Sequence, residues 1–428
     1  MLAACVEVPP PAAIDAAFIA IDGPRLTLRR DALGAPFVLT PRVVVSGVAP
    51  QVQALLPKIV AFELHGDTLA LVQRTLGAIH DELPSGRLLD TFPVETSDPE
   101  AVTFRWEQAL TRVTLGSPVV VSDWPATLEA ALAPQEETLA PVTSVLTHAA
   151  FAEGGLELTQ LARVRLPTGE ELGMELHHRL APHAPAPGFV ARPGALAEGV
   201  GYFEVPRVRK GQGSFQALAT RWDLQKGPIT YAITRSTPPL LVDAVASGID
   251  YWNRVAGAEV VRVERGAAPE VAGGERRVMV RWIPFSGATD AASAVQPDPA
   301  TGEILAADIH VTSAFAASAA HTLAMAQIAG PAPGPAVSTP GFQPAAACRF
   351  TADPVALWSA LTVGGGQAYA EGLSLAAMQD YVRLVVAHEV GHTLGLRHNF
   401  AGSLVSELAT ASARAEAWQG YVSGRTRP

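Results

Sequence analysis

Cysteine is nearly missing from this chain. Cys5 and Cys348 are the only two among 428 residues, too few for a disulfide framework, although a single bridge between them stays open. Charge is scarce as well. Asp, Glu, Lys and Arg together make 17% of the residues against 48% hydrophobic ones, the reverse of the balance that keeps chains disordered. The formal net charge of −10 contains no run of five like charges, so it reports solubility and offers nucleic acid no basic footprint. Long apolar runs are absent too. The alanine-rich stretch 313–330 is broken by His321, Thr322 and Gln327, and no window reaches the roughly 18 apolar residues a membrane-crossing helix requires. No Gly-x-Ser-x-Gly elbow occurs, which leaves a serine hydrolase without support. Gly364-Gly365-Gly366 lacks the Lys-Ser/Thr of a phosphate loop and reads as a flexible connection.

What is present is enough chain for two or three domains, with 37 glycines and 35 prolines that point to many turns and long connections. Residues 1–15 read as a tether, since Pro9, Pro10 and Pro11 favour an extended chain. Leu2-Ala3-Ala4-Cys5 resembles the lipobox at which bacterial lipoprotein signals are cut, which would make Cys5 a lipidation site and the one route to a membrane. The charged and apolar segments that precede such a cysteine are not in the sequence, and an accidental tetrapeptide is the competing reading. Cys348 reads as a buried, inert thiol.

Residues 16–125 form a first β-rich domain. Short apolar runs such as Phe37-Val38-Leu39, Val43-Val44-Val45, 68–72 and Val119-Val120-Val121 lie near turn residues such as Asp22-Gly23 and His65-Gly66-Asp67, which favours strands over helices. Residues 126–226 form a second β-rich region and connection. Here 156–166 and 173–180 flank Pro167-Thr168-Gly169 as a hairpin, and 182–193 is a proline-rich surface connection.

From residue 227 to 428 the pattern becomes mixed α and β, so the fold class is α+β with β-rich regions leading into a mixed twisted sheet. A strand at 229–234 leads to Thr237-Pro238, an N-cap with proline at the first helical position, and then a helix that buries Val242, Val245, Ile249 and Trp252 and stops at Gly257. Strands follow at 259–264, 277–282 and 304–311, then a short helix at 313–327 and a proline-rich loop at 330–344. Ser374 caps a last helix that runs to about Leu394 with Leu375, Met378, Val382, Val385 and Val386 inward.

That last helix carries His388-Glu389-x-x-His392-x-x-Gly395-x-x-His398. Residues four apart on a helix project from one face, so His388 and His392 are placed to share one metal ion. Glu389 follows the first ligand and sits beside the metal as a general base without ligating it. Glycine at 395 enters the left-handed conformation without steric cost, so the chain can reverse and return His398 as third ligand. Three neutral imidazoles leave a tetrahedral zinc ion one open position, the pattern of one catalytic Zn2+. Zinc lowers the pKa of bound water from about 15.7 to about 7, worth roughly 12 kcal/mol of hydroxide stabilisation. The expected reaction is hydrolysis of a peptide bond by zinc-bound water, with Glu389 taking the proton and passing it to the leaving amine. Chance supplies a five-residue His-Glu-x-x-His in on the order of one chain in a hundred, and the full eleven-residue pattern far more rarely.

The stretch 386–400, Val-Ala-His-Glu-Val-Gly-His-Thr-Leu-Gly-Leu-Arg-His-Asn-Phe, resembles the active-site helix of the metzincins. Together with Asp298-Pro299-Ala300-Thr301-Gly302-Glu303-Ile304 and Ala307-Asp308-Ile309, it is most similar to large secreted or lipid-anchored bacterial zinc metalloproteases with β-rich N-terminal domains. The resemblance covers about the last two hundred residues well and the rest more loosely. It implies a zinc endopeptidase in the bacterial envelope or outside the cell. It also implies that Ile304, Leu305, Ala306, Ala307, Asp308, Ile309 and His310 form the edge strand that pairs with an extended polypeptide substrate. Metzincins place a methionine-containing turn beneath the metal, yet no methionine follows Met378, so the catalytic domain is expected to be incomplete at its C-terminus. Tyr421 is the sole downstream tyrosine that might face the oxyanion.

The remaining histidines have blander readings. His177 and His178 point to opposite faces of a strand and, with Glu175, belong to a solvated strand more readily than to a second metal. His310 reads as an ordinary strand histidine and His321 as a surface one. The alternative to an enzyme is a non-catalytic, envelope-anchored binding module with an incomplete peptidase domain.

Overall fold

The computed structural model describes residues 18–46, 51–54, 57–74, 86–106, 113–116, 136–152, 154–165, 169–183, 188–194, 201–205, 208–210, 214–216, 218–268, 276–283, 291–313 and 369–397, with positions 412, 413, 416 and 420 besides. Several expectations fall outside these residues: Cys5, Cys348, the strand at 119–121, the helix at 313–327 beyond its first residue with His321, the loop at 330–344, Gly364 to Gly366, His398 and Tyr421.

The apolar runs of the first half form strands β1 (Ile19–Asp22), β2 (Arg25–Arg29), β3 (Phe37–Ser46), β4 (Gln51–Ala54), β5 (Lys58–His65) and β6 (Thr68–Arg74). They continue as β7 (Gly86–Ser97), β8 (Ala101–Arg105), β9 (Val113–Gly116), β10 (Glu136–Ala152), β11 (Gly155–Arg165) and β12 (Glu171–Pro182). All twelve join one sheet in the order β1-β2-β8-β7-β6-β5-β3-β12-β11-β10-β9, with β4 also on β3. The sheet thus runs across residue 125, because β12 pairs antiparallel with β3 from Gly173 against Ser46 to Pro182 against Phe37. Turns at 22–25 and 65–68 and the β11–β12 hairpin fall where turn residues stand in the sequence.

Period-two alternation sends one set of side chains inward. Phe18, Phe37, Phe62, Phe92, Phe104 and Trp106 are fully buried there, with Leu156, Leu158 and Leu180 from the far strands in the same core. Phe92 and Phe104 meet at 4.9 Å between ring centroids in an edge-on contact. Each buried aromatic contributes about 2 kcal/mol of hydrophobic stabilisation.

Alternation also carries His178 inward. It is 6% exposed, its ring lies 6.0 Å from that of Trp106, and among the described residues neither ring nitrogen has a hydrogen-bond partner. The solvated-strand expectation therefore fails for His178. His177 faces the other way, with Nε2 2.7 Å from Glu175 Oε1.

The second half begins with the short hairpin β13 (Val208–Lys210) and β14 (Ser214–Gln216), and its sheet is built from β15 (Ile229–Thr234), β16 (Val261–Ala267), β17 (Arg277–Ile283), β18 (Ala291–Pro297) and β19 (Ile304–Thr312). Their order is β16-β15-β17-β19-β18. All pairings are parallel except β18 against β19. Two corrections follow. β18 has no counterpart among the expected strands, and among the described residues it occupies the edge. Ile304 to His310 therefore do not form the edge of the sheet: β19 lies between β17 and β18, pairing with β18 from Ile304 to Val311 and with β17 from Asp308 to Thr312.

Helix α1 (Pro239–Ala256) buries Leu241, Val245 and Ile249 against this sheet and ends at Gly257 in the left-handed conformation. Its N-cap is Pro238, one residue later than expected. Thr237 instead stays in the preceding turn, its amide donating to the Thr234 carbonyl. Helix α2 (Tyr369–Thr393) begins before Ser374, which is thus an interior residue and not a cap. Val382, Val385, Val386 and Val390 face the core. At Gly248 the helices touch so closely that a Cβ would stand 2.6 Å from the Arg383 carbonyl oxygen. Among the described residues no helix is long and apolar enough to cross a membrane.

Burial pushes the His178 imidazole down to about 4, with the neighbouring His177 a smaller cause. The unfolded chain then binds a proton near the ordinary value of about 6.5 that the folded chain refuses. Stability is complete above that value and declines by about 3 kcal/mol as pH falls toward 4. His178→Leu should flatten the pH 7.5 to 4.5 dependence of the urea midpoint. An equal slope in variant and parent would refute this account.

Candidate metal centre

The centre lies on the last two turns of α2. His388 and His392 meet edge to face with ring centroids 4.5 Å apart at 86°, and their Nε2 atoms are 3.0 Å from each other. The Leu396 carbonyl lies 2.7 Å from His392 Nδ1. Because a carbonyl only accepts, the proton sits on Nδ1 and the Nε2 lone pair faces His388. Two imidazole nitrogens on a tetrahedral zinc stand about 3.3 Å apart, given bonds of about 2.0 to 2.1 Å. The pair therefore fits a metal. Among the described residues no group of three or more His, Cys, Asp or Glu side chains gathers, and His398 lies outside them.

Glu389 is fully buried, and its Oε2 accepts a 2.7 Å hydrogen bond from Ser293 Oγ on β18. Ser293 was not found from the sequence. Its signal is weak, an alternation of Ala291, Ser293 and Val295 toward the helices within an alanine-rich segment of low strand propensity.

The helix end is fixed from several directions. Gly395 has φ +96°, its amide donates to the His392 carbonyl, and the Leu396 amide donates to that of Gly391. These two bonds make a Schellman turn. The Gly395 carbonyl accepts from the Phe203 amide, and the Arg397 amide donates to the Gly201 carbonyl. The chain leaving the helix is thereby laid along 201–203, with the Phe203 ring 5.5 Å from that of His392. Trp222 Nε1 donates to the Thr393 carbonyl at 2.7 Å. Thr393 Oγ1 donates to the Val390 carbonyl at 2.9 Å, so the Tyr231 hydroxyl 2.8 Å away is the donor to it. Burial raises the Tyr231 phenol well above its ordinary value. Trp252 Nε1 donates to the Ala387 carbonyl at 2.8 Å.

The seven residues expected to hold substrate lie on β19. Ala307 and Ile309 lie in the core shared with the helices. Asp308, on the opposite side of the strand, faces Arg42 and Arg281, with nearest separations of 3.4 and 4.0 Å. His310 lies opposite Arg281 and Ala292 in the strand register.

A family model described as Met-zincin matches residues 371–420, which takes in all but the first two residues of α2, the helix break and the position of His398. This part of the chain is metzincin-like. Comparison with curated proteins and with solved structures finds no match.

A Cβ at Gly395 would collide with the Thr220 carbonyl, whereas one at Gly257, also left-handed with φ +64°, meets nothing within 4 Å. Gly395→Ala is expected to cost about 3 kcal/mol and to abolish tight zinc binding, while Gly257→Ala costs about 1 kcal/mol and leaves zinc binding intact. Thermal melts and zinc titration of the two variants test the contrast, and equal behaviour would contradict it.

Proposed function

We propose that this chain carries the site of a zinc-dependent metallopeptidase and that it hydrolyses peptide bonds in polypeptides. The observation that carries the reading is the facing pair of ring nitrogens, 3.0 Å apart, with a buried carboxylate on the intervening turn. His388 and His392 would hold one zinc ion, with His398 as third ligand. When bound, such an ion supplies Lewis acidity to a substrate carbonyl and acidifies water.

The protein's own groups do the rest. His392 is held in one tautomer by the Leu396 carbonyl, so its ligating nitrogen needs no proton to be removed at neutral pH. Glu389 is set to accept a proton from water and to return it to the leaving amine, a two-way role that suits a carboxylate fixed in position. Its burial excludes bulk water, and the Ser293 hydroxyl holds one oxygen so that the carboxylate does not rotate.

Residues 227–428 form the peptidase part in this reading, and the β-rich residues before them precede it as one or more non-catalytic modules. We further place the protein in the bacterial envelope or outside the cell, on the strength of the Leu2-Ala3-Ala4-Cys5 sequence.

Glu389→Gln should bind zinc one to one and lose at least about a hundredfold in kcat on an unfolded protein substrate. His388→Ala and His392→Ala should lose the metal itself, and chelation should silence the parent. Full activity in Glu389→Gln, or an intact protein free of zinc by elemental analysis after reconstitution, would sink the reading.

A further inference from the structure

The two sheets of the molecule meet through a small set of buried polar groups. Arg42, on β3 of the N-terminal sheet, is 7% exposed. Its Nε donates to Gln296 Oε1 on β18 at 3.0 Å and lies 3.4 Å from Asp308 Oδ2 on β19. Gln296 Nε2 donates in turn to the Pro41 carbonyl at 2.8 Å. Gln296 is fully buried, and Asp308 is 4% exposed. A second tie joins His183, just beyond β12, to Asp298, just beyond β18, at 2.9 Å.

These contacts all fall on the strand that carries Ser293 or on its immediate neighbour. Alternation along β18 separates the roles: Gln296 points to the N-terminal sheet and Ser293, three residues earlier, points to Glu389. Among the described residues β18 has a strand neighbour on one side only, and such a strand's position is less determined than that of an interior strand. Here β19 holds one side of it and the N-terminal sheet holds its face. A buried guanidinium shared by a carboxylate and an amide is costly to displace, since each group left behind would be unpaired.

We infer that the N-terminal sheet is a positioning element of the metal centre, in which Arg42, through Gln296 and Asp308, fixes β18 so that Ser293 holds the Glu389 carboxylate. Ser293 and Arg42 are positioning residues: Ser293 acts through Glu389, and Arg42 acts through the strand. The inference rests on the hydrolase reading for its consequence in turnover, but the mechanical link between Arg42 and β18 stands without it.

The experiment uses the full chain and two readouts. Hydrogen exchange of the metal-free protein reports on residues 291–297 directly, and kcat and KM on an unfolded protein report on the zinc-loaded protein. Arg42→Met is expected to speed exchange at 291–297 while β15 and β16 keep the parent's protection. Gln296→Leu, which changes no charge, should do the same if Arg42→Met does not fold. Ser293→Ala should lower kcat roughly 10- to 100-fold with KM within about twofold and zinc stoichiometry unchanged, and Ser293→Thr should restore most of it.

The outcomes separate the two ideas. If Glu389→Gln is as active as the parent, or the parent is inactive, the hydrolase reading fails, and faster exchange at 291–297 in the Arg42 variant would still support the coupling. If Glu389→Gln is inactive but the Arg42 and Gln296 variants match the parent in exchange at 291–297, the positioning inference is overturned. It is likewise overturned if Ser293→Ala keeps the parent's kcat.

Discussion

A helix that stops inside a protein leaves its last carbonyls without helical partners, and everything at this centre depends on how α2 meets that constraint. The Val390 carbonyl takes both the Leu394 amide and the Thr393 hydroxyl. Those of Gly391 and His392 take the amides of Leu396 and Gly395, and that of Thr393 takes the Trp222 indole. The cap is not only structural. Its Leu396 carbonyl sets the His392 tautomer, so the peptide that closes the helix also prepares a ligand. Gly395 is the hinge of both, because a side chain there would strike the Thr220 carbonyl.

Satisfying those carbonyls requires partners from distant parts of the chain, and they arrive on elements that the rest of the fold holds rigid. Tyr231 comes from the interior strand β15, Trp222 from the segment before it, and Phe203 from the connection between the two sheets. Close packing sets the height of the helix. Gly391 admits the Trp252 ring, where a Cβ would stand 2.7 Å from it, and Gly248 admits the backbone of α2. The motif glycines therefore serve two ends: Gly395 supplies a backbone angle, and Gly391 supplies room.

How much of this the sequence disclosed follows from how far each interaction reaches along the chain. Helix α2 and its break at Gly395 were legible because they follow from short-range spacing and from the conformational freedom of one residue type. The strands β15, β16, β17 and β19 were legible from their β-branched runs, with ends shifted by a few residues. Two helix starts were misread, at Thr237 and Ser374, because a cap-forming residue is common before and inside helices, and only tertiary packing decides where the first turn begins. His388 and His392 lie one turn apart with their Nε2 atoms facing, and Glu389 turns its carboxylate to Ser293. His398, the third member of the set, lies outside the described residues.

The missed strand β18 shows what spacing alone does not carry. Its sequence, Ala-Ala-Ser-Ala-Val-Gln-Pro, has one β-branched residue and low strand propensity, so no local preference makes it a strand. It is a strand because β19 offers it seven paired positions and because Gln296 is gripped from another sheet by Arg42 and the Pro41 carbonyl. The partners of Gln296 lie 254 and 255 residues away in the chain, beyond any pattern that a window of sequence can display. The error about the edge has the same origin. An apolar run such as 304–311 fits an edge strand or an interior one equally well, and it becomes interior only once the unassuming segment before it folds back alongside. The residue that touches the candidate general base thus sits on the element with the least local signal, where position is imposed from outside and not by propensity.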